Sequence, residues 1–380
     1  MSLKHDLFLS RKPLAGYLAI GLCWSTYFAQ MPVIKASVGA TDGEYGLALL
    51  VASFGAISAM WLAPACRRLA GGFAMPLGIA VVGLGMFFAA VSGTLLALTC
   101  AMMLAAMGSG VVDVLVNARV SEIEEDSGRS LMNLNHALYA FAYAGGAMAT
   151  GVLRSAGMTP PVILSGLFIL LLMLAATARD VPPKVHDPEI KTASDTPTTL
   201  VLLTGFVVLA AFLTEAATEG WSALHLERTL GGSAAEGAMG PALLGLMLGI
   251  GRMFGHGLSH HIRDTHLMLA ATLISAAGIA LAGMAPTVAV ALLGFAITGL
   301  GISVVVPLAM ALIGRVVPPS VRLAAISRVS VIGYGAFFAG PPLIGLVAEG
   351  FGLRAAFYLI AALLVGIALV LIPALARRAR

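Results

Sequence analysis

Residues 161–178 read PVILSGLFILLLMLAATA and contain no charged side chain. Apolar residues fill successive positions of this run, so it lacks the apolar–polar alternation of a strand with one wet face. A run of this length is sufficient to cross the roughly 30 Å hydrocarbon core of a bilayer as an α-helix. The stretch therefore predicts a membrane-spanning helix.

The rest of the chain has the same character. Of its 380 residues, 59% are hydrophobic and 11% are charged, less than half of the roughly 25% charged residues in soluble domains. This composition excludes a water-soluble enzyme and a disordered chain, and three cysteines make no disulfide framework or metal cluster. We predict an all-α membrane protein with twelve spans, near 14–36, 45–66, 73–92, 95–118, 131–153, 161–178, 200–224, 239–257, 266–284, 287–311, 324–346 and 355–375.

Lysine and arginine residues are distributed unevenly between the two sides of such a bundle. If the N-terminus lies inside, only four of the 22 lie outside, namely Lys35, Arg154, Arg228 and Arg354. Arg252 lies within a span and the other 17 lie inside, which is a strong positive-inside signal. We therefore expect a bacterial-type inner-membrane protein with both termini in the cytoplasm.

One polar stretch interrupts the apolar pattern. It contains four prolines and mixed charges, so it indicates an exposed cytoplasmic linker at 179–199 between an N-terminal bundle at 1–178 and a C-terminal bundle at 200–380. The first span of each bundle is followed by a similar motif, VGATDGEYG at 38–46 and LGGSAAEGAMG at 230–240. Such internal symmetry predicts a substrate site between the two bundles, near the middle of the membrane.

Two six-helix bundles joined by a cytoplasmic linker resemble the major facilitator superfamily along the whole chain. The motif Asp113-Val-Leu-Val-Asn117 and the motif Asn133-Leu-Asn-His136 are similar to the fucose-permease branch and its uncharacterised bacterial members. His136 stands where that branch has glutamine. The resemblance implies a carrier that works by alternating access, uses the proton gradient as its energy source and needs no cofactor.

Ionisable side chains within the spans are the functional evidence. Each costs at least ~2.5 kcal/mol at bilayer depth, so it is a functional candidate by default. We predict that Asp113 and Glu215 carry protons for coupling, since a carboxylate in a low dielectric binds a proton more readily. The alternative for Asp113 is a structural hydrogen-bond anchor. Arg252 needs either an acidic partner such as Glu215 or an anionic group of the substrate.

Other polar and aromatic residues are predicted to contact the substrate, or to join neighbouring helices by hydrogen bonds. In the fifth span they recur at helical spacing and form one stripe. We expect Trp221 to anchor the protein at the membrane interface. The predicted substrate contacts are Asn117, Asn133, His136, Tyr139, Tyr143, Gln30, Trp24, Arg252 and Glu219.

These features predict a secondary active transporter that moves a small polar solute, such as a sugar or similar metabolite. The alternatives are a proton-driven exporter of a metabolite, an organic anion or a drug, and a membrane sensor. An enzyme is not expected, because the sequence offers no nucleophile–base pair and no metal constellation. We expect the solute and the bilayer as partners, no nucleic acid, no bound metal and a monomeric protein.

Overall fold

The computed structural model describes residues 3–180, 197–258, 262–318 and 321–378, and every regular element within these ranges is helical. The N-terminal half contains α1 (Leu3–Phe28), α2 (Met31–Ser37), α3 (Asp42–Ala70), α4 (Ala74–Val91), α5 (Leu95–Ser127), α6 (Met132–Ser155) and α7 (Pro160–Thr177). The C-terminal half contains α8 (Thr198–Leu224), α9 (Ala234–Leu258), α10 (Asp264–Met284), α11 (Val288–Ile302), α12 (Val305–Val316), α13 (Arg322–Phe351), α14 (Leu353–Gly366) and α15 (Ile372–Arg378). Two π-helical turns, His225–Thr229 and Ile367–Leu371, extend α8 and α14.

The all-α membrane fold is confirmed. Within the described ranges, nine helical stretches are long and apolar enough to cross a membrane. The helix α1, the first part of α3 and α6 fall outside these nine, and α6 contains Asn133, Asn135, His136 and Arg154. Each of the twelve predicted spans coincides with one helix or with two in succession. The linker predicted at 179–199 lies mostly outside the described residues.

Two predicted spans are divided in the structure. The first is divided at Gln30, between α1 and α2. Pro32 lies in the first turn of α2, where a backbone N–H would have no helical carbonyl to donate to, so the proline costs no hydrogen bond. The tenth divides between α11 and α12 at Ser303 and Val304. Pro307 has no N–H to donate to the carbonyl of Ser303, so a continuous helix would lack this hydrogen bond. The break lies at the carbonyl that would have accepted it.

The repeated motif folds into the same structure in both halves. Thr41 and Glu44 form a capping box at the start of α3, with each side chain accepting from the backbone N–H of the other. Ser233 and Glu236 form the equivalent pair before α9. The glycines that precede the two boxes, at positions 39 and 231, have φ of +66° and +69°, a region that favours glycine.

The halves meet along two pairs of helices, α6 with α9 and α3 with α13. Because successive spans cross in opposite directions, α1 begins and α7 ends on one side of the bundle, which we call the terminal side. An ion pair of 3.0 Å between Lys12 and Asp180 joins these two ends. The opposite side, which contains the α1–α2 break and the π-helical turn after α8, is called the far side.

Candidate functional site

Asp113 lies within α5 and is exposed, although it faces the space between the two halves. Asn117, one turn further along, donates through Nδ2 to Asp113 Oδ1 at 3.0 Å, and the Tyr17 hydroxyl donates to Asn117 Oδ1 at 2.7 Å. Asp113 is also within electrostatic range of Tyr139 and of Tyr334 on α13. No cationic side chain in the described ranges forms an ion pair with Asp113. The carboxylate is thus accessible to solvent and held by neutral groups.

The aromatic stripe predicted on α6 lies beside this carboxylate. The ring of His136 meets the ring of Tyr17 edge-on, with centroids 5.0 Å apart. The rings of Tyr139 and Tyr143 follow along α6, with centroids 6.2 Å apart. The Tyr143 hydroxyl is buried and has no well-formed hydrogen bond. The stripe therefore presents an imidazole and two phenols on one face of α6.

The C-terminal half contributes the other charged groups. Glu215 Oε1 on α8 lies 3.8 Å from Arg252 Nη2 on α9, and these side chains are 17% and 27% exposed. This distance is longer than a direct hydrogen bond, so the two groups attract each other but leave room between them for a polar atom. Glu219 lies one turn along α8 and is within electrostatic range of Tyr139 and Tyr143. Arg252 therefore has the acidic partner that the sequence called for.

Three predicted contacts lie apart from this cluster or are already satisfied. Trp24 donates its indole N–H to Ser109 Oγ at 2.9 Å. Gln30 is fully buried at the α1–α2 break, where its amide donates to the carbonyl of Thr26 at 3.2 Å. Asn133 is exposed near the start of α6. The sequence patterns placed these residues in spans but gave no information about which neighbour each would face.

The central cluster therefore joins both halves and has an excess of acidic groups. We define it by Asp113, His136, Glu215, Glu219 and Arg252, which contain three carboxylates and one guanidinium. Such a set of groups, with phenols and amides around it, is suited to bind a polar solute and to exchange a proton with water. Within the described ranges no group of three or more potential metal ligands comes together.

On the far side, ion pairs tie one half to the other. Arg154 of α6 binds Glu227 of the π-helical turn through two contacts of 2.6 and 2.9 Å. Asp42 of α3 receives two contacts, of 2.9 and 2.5 Å, from Arg228 of the same turn. Lys35 lies 2.9 Å from Asp42 on the other side. We call Asp42, Arg154, Glu227 and Arg228 the far-side latch.

Close helix packing accompanies the latch between α3 and α13. Glu349 Oε2 accepts from the backbone N–H of Gly43 at 2.7 Å. A Cβ atom on Gly46 would lie 2.4 Å from the carbonyl oxygen of Pro341, and one on Gly345 would lie 2.4 Å from the backbone oxygen of Asp42. The two helices approach this closely only because glycine has no side chain.

Trp221 also lies between the two halves, and the prediction that it anchors the protein at the membrane–water boundary is wrong. The side chain is 1% exposed and its ring meets the ring of Tyr45 edge-on, with centroids 5.7 Å apart. Tyr45 belongs to α3 and Trp221 to α8, so the indole packs between the halves. The position of Trp221 near a helix end is typical of both roles, and only the packing distinguishes them.

The terminal side differs, because its ion pairs stay within one half. No ion pair in the described ranges joins the halves there. The pairs in the described ranges are Lys12–Asp180, Arg119–Asp180, Asp6–Arg129, Arg67–Glu122 and Arg119–Glu122 in the N-terminal half and Arg315–Asp264 in the C-terminal half. Ion pairs therefore join the halves on the far side, and among the described residues none does so on the terminal side.

The far-side latch was missed by the sequence analysis. Its signal was present, since Arg154 and Arg228 are two of the four basic residues expected outside. Such residues oppose the positive-inside preference, and their retention needs a reason. The sequence does not show which of these residues form ion pairs, because Asp42 and Arg228 are separated by 186 positions.

Known proteins resemble the chain in sequence and in structure. The family model of the Major Facilitator Superfamily matches residues 204–380 of this sequence. An uncharacterized MFS-type transporter of Yersinia pestis is 28% identical over 365 residues, which cover 93% of this chain and 92% of that protein.

Two solved structures share the fold. A bacterial homolog of the human lysosomal transporter Spinster, in an inward-facing and occupied conformation, has a TM-score of 0.74 at 15% identity and covers 99% of this chain and 98% of its own. A D-xylose-proton symporter has a TM-score of 0.72 at 15% identity, with 97% of each chain covered. The family match covers residues 204–380, and the paired halves with the polar cluster between them have the same fold as these two transporters.

Proposed function

We propose that the protein is a secondary carrier that moves a small polar solute across the inner membrane by alternating access. One observation carries the proposal: the central cluster is accessible to solvent while ion pairs between the halves close the far side. If the terminal side is cytoplasmic, as the lysine and arginine distribution indicates, this is the state open to the cytoplasm. The opposite state requires the latch to separate and the halves to meet on the terminal side.

The proposed solute is a sugar or a similar metabolite with several hydroxyl groups. Asn117, Tyr139 and His136 offer the donors and acceptors that hydroxyl groups need. The partly separated pair of Glu215 and Arg252 adds an acceptor and a donor that a hydroxyl group would bridge. The name of the similar D-xylose-proton symporter is consistent with such a solute and with proton coupling.

Asp113 is the proposed proton carrier. It has no ion-pair partner in the described ranges, and its hydrogen bond from Asn117 leaves the other carboxylate oxygen free to accept a proton. Protonation would remove an unpaired charge from the bundle before the halves rock, which makes the crossing of the membrane less costly. In this scheme Glu215 stays with Arg252 and contributes to coupling only if the solute separates them.

The alternative is an exporter that uses the same groups in the reverse direction. Among the described residues, ion pairs join the halves on the far side alone, which fits either direction, because an importer and an exporter both visit such a state. A membrane sensor is a further alternative, and it would bind the solute without moving it.

Reconstituted protein tests these choices. We would measure uptake of a panel of labelled metabolites into proteoliposomes with an imposed pH gradient, in both gradient directions. The Asp113→Asn variant should lose gradient-driven accumulation by at least tenfold and keep solute exchange, since exchange does not need net proton movement. The matched control is Glu236→Gln, an exposed residue whose capping box also accepts glutamine.

Each outcome has a distinct meaning. Uptake driven by either gradient direction supports a carrier, and the direction separates importer from exporter. Gradient-driven accumulation that is unchanged in Asp113→Asn would remove this residue from the coupling scheme. Binding without any flux across the panel would favour the sensor.

A further inference from the structure

The charges of the central cluster give a more specific result. We propose that the transported solute carries a positive charge, as in a protonated amine with hydroxyl groups, and that Glu219 is the carboxylate that receives this charge. The inference rests on the proposed carrier function and adds the substrate class to it.

The first step is the pairing of charges. Three carboxylates and one guanidinium lie in the cluster, and Arg252 forms its only ion pair in the described ranges with Glu215, at 3.8 Å. Glu219 has no ion pair in these ranges, and Asp113 has none either. With the carboxylates and the guanidinium ionised and His136 neutral, the cluster therefore has an excess negative charge of two. An anionic solute would have to approach this excess and would lose hydration without gaining a free cation.

The second step assigns different roles to the two carboxylates without an ion pair in the described ranges, Asp113 and Glu219. Asp113 belongs to the N-terminal half, where Asn117 donates to it and Tyr17 orients Asn117. Its surroundings are neutral hydrogen-bonding groups, which suit a carboxyl group that gains and loses a proton. If the proton goes to Asp113, Glu219 still has its charge, and a cationic solute is the group that would neutralise it.

The third step is the environment of Glu219. The side chain of Tyr143 is 1% exposed, and its hydroxyl lies beside the Glu219 carboxylate without a well-formed hydrogen bond. This buried hydroxyl makes no well-formed hydrogen bond, so it can still donate to an acceptor on the solute. The rings of Tyr139 and Tyr143 lie next to Glu219, and aromatic faces attract organic cations. An ammonium at this point would meet a carboxylate and two phenol rings.

Glu215 and Glu219 should consequently behave differently, although both are glutamates of α8. Replacement of Glu219 removes the charge that would receive the solute. Replacement of Glu215 frees Arg252, which then becomes a site for an anion. This opposite response distinguishes a substrate contact from a merely structural carboxylate.

The experiment uses a charge series built on one skeleton. Binding and uptake of D-glucosamine, D-glucose and D-gluconate would be measured in proteoliposomes, beside the wider panel sorted into cations, neutral solutes and anions. We expect the transported members to be cations. For them, Glu219→Gln should weaken binding by about 10- to 100-fold, the usual range for a lost charged hydrogen bond. Glu219→Asp should restore part of the loss, and Glu236→Gln should have no effect.

The outcomes separate this inference from the carrier function. Transport of neutral or anionic solutes in preference to cations would overturn the charge assignment and leave the carrier function intact. Equal losses in Glu219→Gln and Glu215→Gln, without any gain for anions in the latter, would also overturn it. If no member of the panel moves in any variant, the carrier function itself fails and the inference fails with it.

Discussion

The two sides of the bundle use their charged residues in opposite ways. On the far side, Arg154 and Asp42 each pair with a residue of the other half, and their side chains are 6% and 5% exposed. On the terminal side, Lys12 and Arg129 pair within their own half and are 33% and 28% exposed. The far-side pairs therefore depend on how the halves sit together, whereas the terminal-side pairs do not.

This difference teaches which charges can control the conformation. A contact shifts an equilibrium between two states only if its free energy differs between them. In the proposed alternating-access cycle, a pair within one rigid half is the same in both states, so it stabilises the fold without favouring either state. A buried pair between the halves would exist in one state alone, and removal of one partner leaves the other unpaired at a considerable cost.

The largest effect is expected for Arg154→Ala. Loss of one partner from a buried, doubly hydrogen-bonded pair costs about 2–5 kcal/mol, and this cost falls on the state closed on the far side. Arg154 also donates to the carbonyl of Ala29 at 2.6 Å, a bond within the N-terminal half whose loss affects both states alike. Trp221 reports the opening, because it is buried between α8 and α3. With Trp24 and Trp61 replaced by phenylalanine, acrylamide should quench the remaining indole more strongly in Arg154→Ala.

A matched control exists on the same side of the protein. Arg354 donates to the carbonyls of Gly283 and Ala285 at 3.0 and 2.8 Å, all within the C-terminal half. Arg354→Ala should lower the thermal stability and leave the quenching of Trp221 unchanged. Equal quenching in the two arginine variants would mean that the far-side latch does not control opening.

The next effect is expected for Gly345→Val. The valine side chain would overlap the backbone of Asp42, since even a Cβ atom at position 345 would lie 2.4 Å from the carbonyl oxygen of Asp42. Overpacking of this kind costs about 1–3 kcal/mol, and again only when the halves are closed on the far side. Quenching of Trp221 should rise and transport should fall. Gly350→Val on the same helix is the control, because nothing lies within 4 Å of a Cβ atom there.

A smaller effect is expected for Arg228→Ala and for acid. Arg228 is 46% exposed, and Lys35 still lies 2.9 Å from Asp42 without it, so the cost should be below about 1 kcal/mol. Burial acts to raise the pKa of Asp42, but Arg228 and Lys35 outweigh it and hold this pKa below the ordinary value of 3.8. A depressed pKa in the closed state means that closure is favoured above pH 3.8 and weakens below it.

The pH series has its own measurement. Quenching of Trp221 should stay constant from neutral pH down to the ordinary pKa of Asp42 and rise below it. Asp42→Asn should remove the pH dependence, since asparagine has no proton to gain. A rise that persists in Asp42→Asn would assign the effect to another group.

The fold was predictable from the sequence because span length and apolar composition are local properties. Residues such as Asp113, Asn117 and His136 were predictable as candidates for the same reason, since a polar side chain in an apolar helix is costly wherever it points. The partners were not predictable. Trp221 packs against Tyr45, 176 positions away in sequence by their numbers, and no local pattern reports such a contact. The pairs of the far-side latch are harder still to predict, because under the proposed mechanism they form in one conformational state only.

The smallest effect is expected on the terminal side, for Asp6→Asn. Arg129 Nη2 donates to Asp6 Oδ2 at 2.7 Å, and this hydrogen bond holds the pKa of Asp6 below its ordinary value. Both residues belong to the N-terminal half, so the pair should persist in every state, and its loss should change neither the quenching of Trp221 nor the transport rate. A change in either quantity, with unchanged thermal stability, would show that this pair senses the position of the other half. The contrast between the two sides would then reflect the one state seen here and not a division of roles.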